Sequence, residues 1–152
     1  MNIIAITRKG PSKAENEDRI VIGKNLLSEG NIQAAFSSGI VAVADGVGGN
    51  NAGAVASHFV AQTLTSIDEA SQEVFAKINE NLLQLSKTRA DYSNMATTLS
   101  GISVSGSKTV LFSVGNTRVY LLQGRKYLKQ ITSDDTTLNY LFAAGQLTAE
   151  NA

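Results

Sequence analysis

The sequence predicts an α+β layered domain built on antiparallel sheet. Three observations carry this. Gly39-Ile40-Val41-Ala42-Val43-Ala44 is an unbroken apolar run that stops at Asp45-Gly46. Apolar residues then recur at helical spacing over two consecutive segments. From Thr97 onward, short β-rich segments are joined by turns so tight that the strands must run antiparallel.

Ile3 to Thr7 and Arg19 to Gly23 are short and β-branched, as strands on either side of a polar loop are. Lys24 to Ser38 shows no clear period and reads as a long connection. The run from Gly39 to Ala44 is apolar on both faces, which predicts a strand buried on both sides. Ala52, Val55, Ala56, Phe59, Val60, Thr63, Leu64 and Ile67 follow the i, i+3, i+4, i+7 rule of an amphipathic helix. Asn50 or Asn51 suits its N-cap. A second helix is expected from about Asp68 to Arg89, with Val74, Phe75, Ile78, Leu82 and Leu85 inward. Asp68 and Glu69 near its start and Lys87 and Arg89 near its end match the helix dipole. Strands are then expected at Thr98–Ser105, Thr109–Val114, Arg118–Leu122 and Lys126–Thr132. Gly106-Ser107 and Gly124-Arg125 supply turns. A short helix from Thr136 to Ala144 ends at Gly145. No repeat, low-complexity stretch or interdomain linker interrupts the 152 residues, so one domain is expected over 1–152.

Composition removes several functional classes. The chain is 43% hydrophobic and 17% charged, a globular balance. It has no cysteine, which excludes disulfide frameworks, thiolate zinc sites and a cysteine nucleophile. His58 is the single histidine, so a multi-histidine metal site is excluded too; a surface or half-buried place on the first helix is expected for it. Thirteen basic residues balance thirteen acidic ones, giving no electrostatic reason to expect nucleic acid or an anionic membrane. No stretch approaches the ~20 apolar residues of a spanning helix. The apolar start reads as a strand rather than a leader, because its charge follows the apolar part. A cytoplasmic protein is the expectation.

Two acidic points lie at strand edges. Asn16-Glu17-Asp18 directly precedes Arg19-Ile20-Val21-Ile22, and Asp45-Gly46-Val47-Gly48-Gly49 directly follows the most apolar strand. A carboxylate held there and shielded from water needs a cation or donors. Two such points near one another would be neutralised by a divalent ion, and all-oxygen ligands select Mg2+ or Mn2+ over zinc. The glycine after Asp45 lets a backbone carbonyl approach the same ion. Each feature also has a plainer reading, since Asp-Gly after a strand is commonly a turn and Glu17-Asp18 could be a solvated loop. A dinucleotide-binding loop does not fit, because Asn51 stands where G-x-G-x-x-G needs its last glycine.

The order of the segments says more than any one of them. Asn16-Glu17-Asp18 is followed by Val43-Ala44-Asp45-Gly46-Val47-Gly48-Gly49, then Met95-Ala96-Thr97-Thr98-Leu99. Val114-Gly115-Asn116-Thr117-Arg118-Val119-Tyr120 and Ile131-Thr132-Ser133-Asp134-Asp135 come next, then Gly145-Gln146-Leu147-Thr148. This resembles the bacterial type 2C, or PPM, metal-dependent Ser/Thr protein phosphatases, whose signatures run N-E-D, V-A-D-G-M-G-G, M-G-T-T-L, V-G-D-S-R-x-Y and L-T-x-D-H.

The resemblance implies an α-β-β-α sandwich of two antiparallel sheets flanked by helices, with two Mn2+ or Mg2+ ions at one end. Asp45 would bridge the ions, the Gly46 carbonyl would bind one, and Glu17 and Asp18 would hold ligands or waters. A water activated by the two metals would attack the phosphorus of phosphoserine or phosphothreonine in proteins. The expected partners are phosphoproteins made by a Ser/Thr kinase, and a monomer is the expected state. The family's phosphate-binding arginine lies upstream of N-E-D; Arg8 and Lys13 are the candidates, and Arg8 is preferred for its bidentate fork. Thr97 and Thr98 match the threonine pair, and as strand residues they could equally be structural. Asn116 replaces the aspartate tied to a weaker third metal, leaving either a poor ligand or a tight turn. The later S-D-G and D-N motifs have no counterpart after Thr148. The expectation is therefore an N-terminal part of the domain, incomplete at its C-terminus, with little activity by itself. The alternative is a pseudophosphatase that binds phosphoproteins without turnover.

Overall fold

The computed structural model describes residues 1–49, 52–136, 139, 140 and 144. In chain order the elements are β1 (Asn2–Thr7), β2 (Asp18–Ile22), β3 (Asn25–Leu27), β4 (Gly30–Ala35) and β5 (Gly39–Val47). Helices α1 (Ala52–Leu64) and α2 (Gln72–Ser86) follow, then a 3-10 turn at Ala90–Tyr92. The chain continues as β6 (Ala96–Thr97), β7 (Leu99–Ser105), β8 (Lys108–Val114), β9 (Tyr120–Gln123) and β10 (Tyr127–Gln130). The main sheet has the order β3-β2-β5-β7-β8, with β6 paired to the far end of β5. All its pairs are antiparallel. Strands β1 and β4 form a separate antiparallel pair, as do β9 and β10.

Side-chain alternation along β5 sorts the molecule into layers. Ile40, Ala42 and Ala44 are buried beneath the helices with Ala56, Val60, Ala61 and Leu64 of α1 and Ile78 and Leu82 of α2. Small residues on both partners bring α1 close to the sheet. The opposite face of the main sheet packs on β1–β4 through Ala5, Ile20, Ile22, Phe36 and Val104. The described residues thus supply one helical layer and two sheet layers of the expected sandwich. Phe75 of α2 meets Phe112 of β8 with ring centroids 4.9 Å apart and planes tilted by 49°, a favourable aromatic geometry.

Several sequence-based expectations need correction. Lys24–Ser38 is not a connection but contains β3 and β4. The inward positions of β4 are Gly30, Ile32 and Ala34, and with only Ile32 large the period-2 signal is blurred. Strand β5 is not buried on both faces: Val43 is 37% exposed and Val47 51% exposed, because β1–β4 covers this face only near Val41. Helix α2 is shorter than Asp68–Arg89. Ser71 is its N-cap, its hydroxyl accepting from the Val74 N–H, and Lys87 is its C-cap, so the acidic first-turn residue is Glu73 rather than Asp68 or Glu69. The strand expected at Arg118–Leu122 is observed at Tyr120–Gln123, and that expected at Lys126–Thr132 at Tyr127–Gln130. The capping roles of Asn50 and Asn51, most of the helix expected at Thr136–Ala144, and the Gly145–Thr148 segment lie outside the described residues.

The β9–β10 hairpin is fastened by Arg118, whose Nε and Nη2 donate to both carboxylate oxygens of Asp134 at 2.6–3.1 Å. This bidentate bond holds the Asp134 carboxyl below its ordinary pKa. The Thr132 hydroxyl accepts from the Val119 N–H at 3.1 Å.

Leu64 closes the helix–sheet core and is fully buried. Leu64→Ala should lower unfolding stability by about 2–5 kcal/mol, read by urea titration under circular dichroism. A loss below about 1 kcal/mol would show that the α1 contact is not the main apolar contact.

Candidate metal and phosphate site

Antiparallel pairing of β2 with β5 sets Asp18 directly opposite Asp45. Cross-strand Cβ atoms lie about 4.5–5.5 Å apart, and like charges at that spacing repel by about 1–3 kcal/mol between aqueous and protein-surface dielectrics. Burial, then the charge of Asp45 and a hydrogen bond with it, push the Asp18 carboxyl above its ordinary pKa, while Arg19 opposes the shift. Asp45 is exposed and Asp18 half-buried. Such a pair, made only of oxygen donors, fits a divalent cation.

A cavity of about 450 Å3 opens over the pair, walled by Arg8, Lys13, Asn16, Glu17, Gly46 and Val47 among others. The Lys13 ammonium pairs with the Glu17 carboxylate. That contact, with Asp45 and Asp18 further off, pushes Lys13 above its ordinary pKa. Arg8 stands exposed at the rim. All four sequence candidates for metal ligation, Glu17, Asp18, Asp45 and Gly46, therefore line one cavity. Among the described residues, however, no three His, Cys, Asp or Glu side chains converge as a metal-binding group, consistent with Glu17 being turned to Lys13.

The backbone around the carboxylates is held from three sides. Asn16, which sequence reasoning treated only as part of a motif, is buried; its amide donates to the Thr7 hydroxyl and the Ser28 carbonyl, both at 2.8 Å. Its own side-chain oxygen accepts from the Asp18 N–H at 3.2 Å. The Glu17 carbonyl accepts from the Gly46 N–H at 3.1 Å and from the Ser57 hydroxyl of α1 at 2.5 Å. Ser57 is fully buried; along the sequence it stands only as a small polar residue in the helix behind Asp45-Gly46, and nothing local announces its bond to Glu17.

The third support is the threonine pair. The Asp45 carbonyl accepts from the Thr98 N–H at 2.9 Å and the Thr97 hydroxyl at 3.0 Å, and the Asp45 N–H donates to the Thr98 hydroxyl at 3.2 Å. Thr98 in turn bonds the Thr117 hydroxyl at 2.5 Å. Thr97 thus clamps the Asp45 backbone. Asn116 is exposed and does not line the cavity. The left-handed turn falls on Gly115, at φ +92°, where a Cβ would come within 2.9 Å of Thr98.

Gly46 and Gly53 pack backbone to backbone. A Cβ on Gly46 would lie 2.0 Å from the Gly53 oxygen, and one on Gly53 would lie 2.8 Å from the Gly46 oxygen and 2.9 Å from Glu17 Oε1. Only glycine allows this approach.

A family model described as Protein phosphatase 2C matches residues 30–151. The chain belongs to the protein phosphatase 2C family. Its relatives within the type 2C group include the serine/threonine protein phosphatase PstP of Mycobacterium tuberculosis, 33% identical over 95% of this chain and 27% of PstP. The protein phosphatase PhpP of Streptococcus pneumoniae is 30% identical over 100% of this chain and 62% of its own length. The crystal structure of the M. tuberculosis PstP phosphatase superposes with a TM-score of 0.72 at 28% identity, covering 99% of this chain and 61% of that one. The PstP catalytic domain in complex with two manganese ions gives a TM-score of 0.71 at 29% identity, covering 99% of this chain and 62% of that one. The α+β fold of the type 2C phosphatases is thereby established for this chain, which spans less than two thirds of these relatives.

The raised pKa of Asp18 makes its ionised form a cost to folding at neutral pH. That cost is full above the raised folded-state value, fades as pH falls through it, and is gone below the unfolded value of about 3.9. In chelator, Asp18→Asn should raise the thermal midpoint at pH 7 and leave it unchanged near pH 3.5. Destabilisation at pH 7 would contradict the like-charge account.

Proposed function

We propose that this chain carries the first part of the active site of a protein phosphatase that hydrolyses phosphoserine and phosphothreonine in proteins. The observation that carries this reading is the Asp18–Asp45 pair, held opposite one another at the mouth of a cavity that also contains Glu17, Gly46 and two basic side chains. The names of the relatives and the manganese complex of one of them support it.

In this reading Asp45, Asp18, Glu17 and the Gly46 carbonyl would hold two Mn2+ or Mg2+ ions, with Asp45 as the central ligand. The ions supply Lewis acidity that activates water and offsets charge on the phosphoryl group. The chain's residues hold the carboxylates in place and orient the substrate. The clamp by Thr97 and Thr98 fixes Asp45 before anything binds, so no reorganisation is needed later. Arg8 offers a planar fork for the phosphate. Lys13 is the second basic candidate, and its release from Glu17 would free a ligand and a phosphate-facing cation together. Cysteine is absent from the chain, in keeping with direct attack by water. Asn116, which is not among the residues lining the cavity, is not assigned a metal.

The proposed partners are phosphoproteins produced by a Ser/Thr kinase, and the proposed form is a cytoplasmic monomer. No helix among the described residues is long and apolar enough to cross a membrane. The comparisons do not favour the alternative of a binding module without turnover.

Three carboxylates and a carbonyl, shared between two ions, are fewer donors than hard cations take in tight sites, so weak metal binding and slow turnover are expected. Mn2+ titration by calorimetry and hydrolysis of a phosphothreonine peptide should both respond to Asp45→Asn, with affinity falling about tenfold or more and Mn2+-dependent turnover lost. Phosphopeptide binding with no Mn2+-dependent turnover would overturn the enzymatic reading for this chain.

A further inference from the structure

A second cavity, of about 700 Å3, lies on the other face of β2. Alternation along β2 sends Ile20 and Ile22 toward β1–β4 and Val21 toward the helices, so Arg19 is on the helical side and Asp18 is not. Arg19 is the charged residue in the wall of this cavity that is buried: its side chain is only 7% exposed. Its hydrogen bonds are one-sided. Nη1 donates to the Asn16 carbonyl at 2.6 Å and the Asp18 carbonyl at 2.7 Å. Nε is buried with no partner among the described residues, and Nη2 reaches only Glu15 Oε1, at 3.6 Å. That is too long for a hydrogen bond. The unspent edge of the guanidinium is thus the Nε/Nη2 edge, and Glu15, toward which it looks, lines the cavity.

An orphaned charged donor in a buried position is costly, and the surroundings specify what would satisfy it. Two parallel N–H groups match a planar carboxylate. A dianion is disfavoured, because Glu15 stands alongside and the other basic group in the wall is the exposed His58. The remainder of the wall is largely apolar, from Val55 and Phe59 of α1 and Leu85 of α2. We propose that this cavity is a binding site for a monocarboxylate borne on an apolar group, with the Nε/Nη2 edge of Arg19 taking the carboxylate and the α1–α2 wall taking the apolar part. Glu15 is the intramolecular stand-in that the ligand displaces. Because Nη1 of the same guanidinium holds the carbonyls on either side of Glu17, an occupant here touches the backbone that carries the metal-site carboxylates.

The probe is 3-phenylpropionate, with 3-phenylpropionamide and inorganic phosphate as controls, titrated into the 15N-labelled chain while the Arg19 Nε–Hε resonance is followed. Saturable movement of that resonance and of α1 amides with the carboxylate alone is expected. Glu15→Gln should tighten binding about two- to fivefold, the size of one part-exposed ion pair. Gln62→Trp, which fills the cavity from an exposed position without touching the bonds of Arg19, should abolish it. An equal response to the amide, a response confined to the Asp18–Asp45 cavity, no saturation, or indifference to Glu15→Gln would each overturn the proposal.

Discussion

The register between β2 and β5 is the constraint on which the rest depends. Because side chains alternate with period two, a slip of one residue would turn Asp18 away from Asp45 and at the same time turn Val21 out of the helical core. The packing that stabilises the sheet therefore also enforces the carboxylate encounter that destabilises it locally. The helix–sheet core and the β1–β4 contacts outweigh that penalty, leaving two like-charged carboxylates face to face in an otherwise apolar sheet.

Sequence reasoning found the carboxylates because they interrupt strong patterns. Asp45 ends the most apolar run, and Glu17-Asp18 precedes a β-branched one. The same logic located α1 and the β7–β8 hairpin, where period and turn agree. It failed where the pattern is carried by small residues. In β4, Gly30, Ala34 and Ala35 give little contrast between faces, so a real strand read as a loop. It also overextended α2, since Asp68 and Glu69 are as compatible with the dipole as Glu73, and only the hydroxyl of Ser71 decides the start.

What the sequence could not convey is how the site is held. Ser57, Asn16 and Thr98 are ordinary polar residues when read in a line, yet each spends its hydrogen bonds on the backbone next to a candidate ligand. Their partners lie 40 and 53 residues away for Ser57 and Thr98, distances over which no local pattern operates. Arg19 is the counter-case. Its burial follows from strand alternation, but its unused edge emerges only when each of its donors is traced to an acceptor.

The glycine-to-glycine contact between Gly46 and Gly53 has a mechanical consequence. With no side chain between them to deform, β5 and the first turn of α1 meet as two stiff main chains, and the Ser57 bond to Glu17 ties the same helix to the neighbouring strand. Helix α1 cannot tilt or slide against the sheet without carrying the Glu17 and Gly46 backbone along. The position of α1 and that of the backbone bearing the carboxylates are therefore set together.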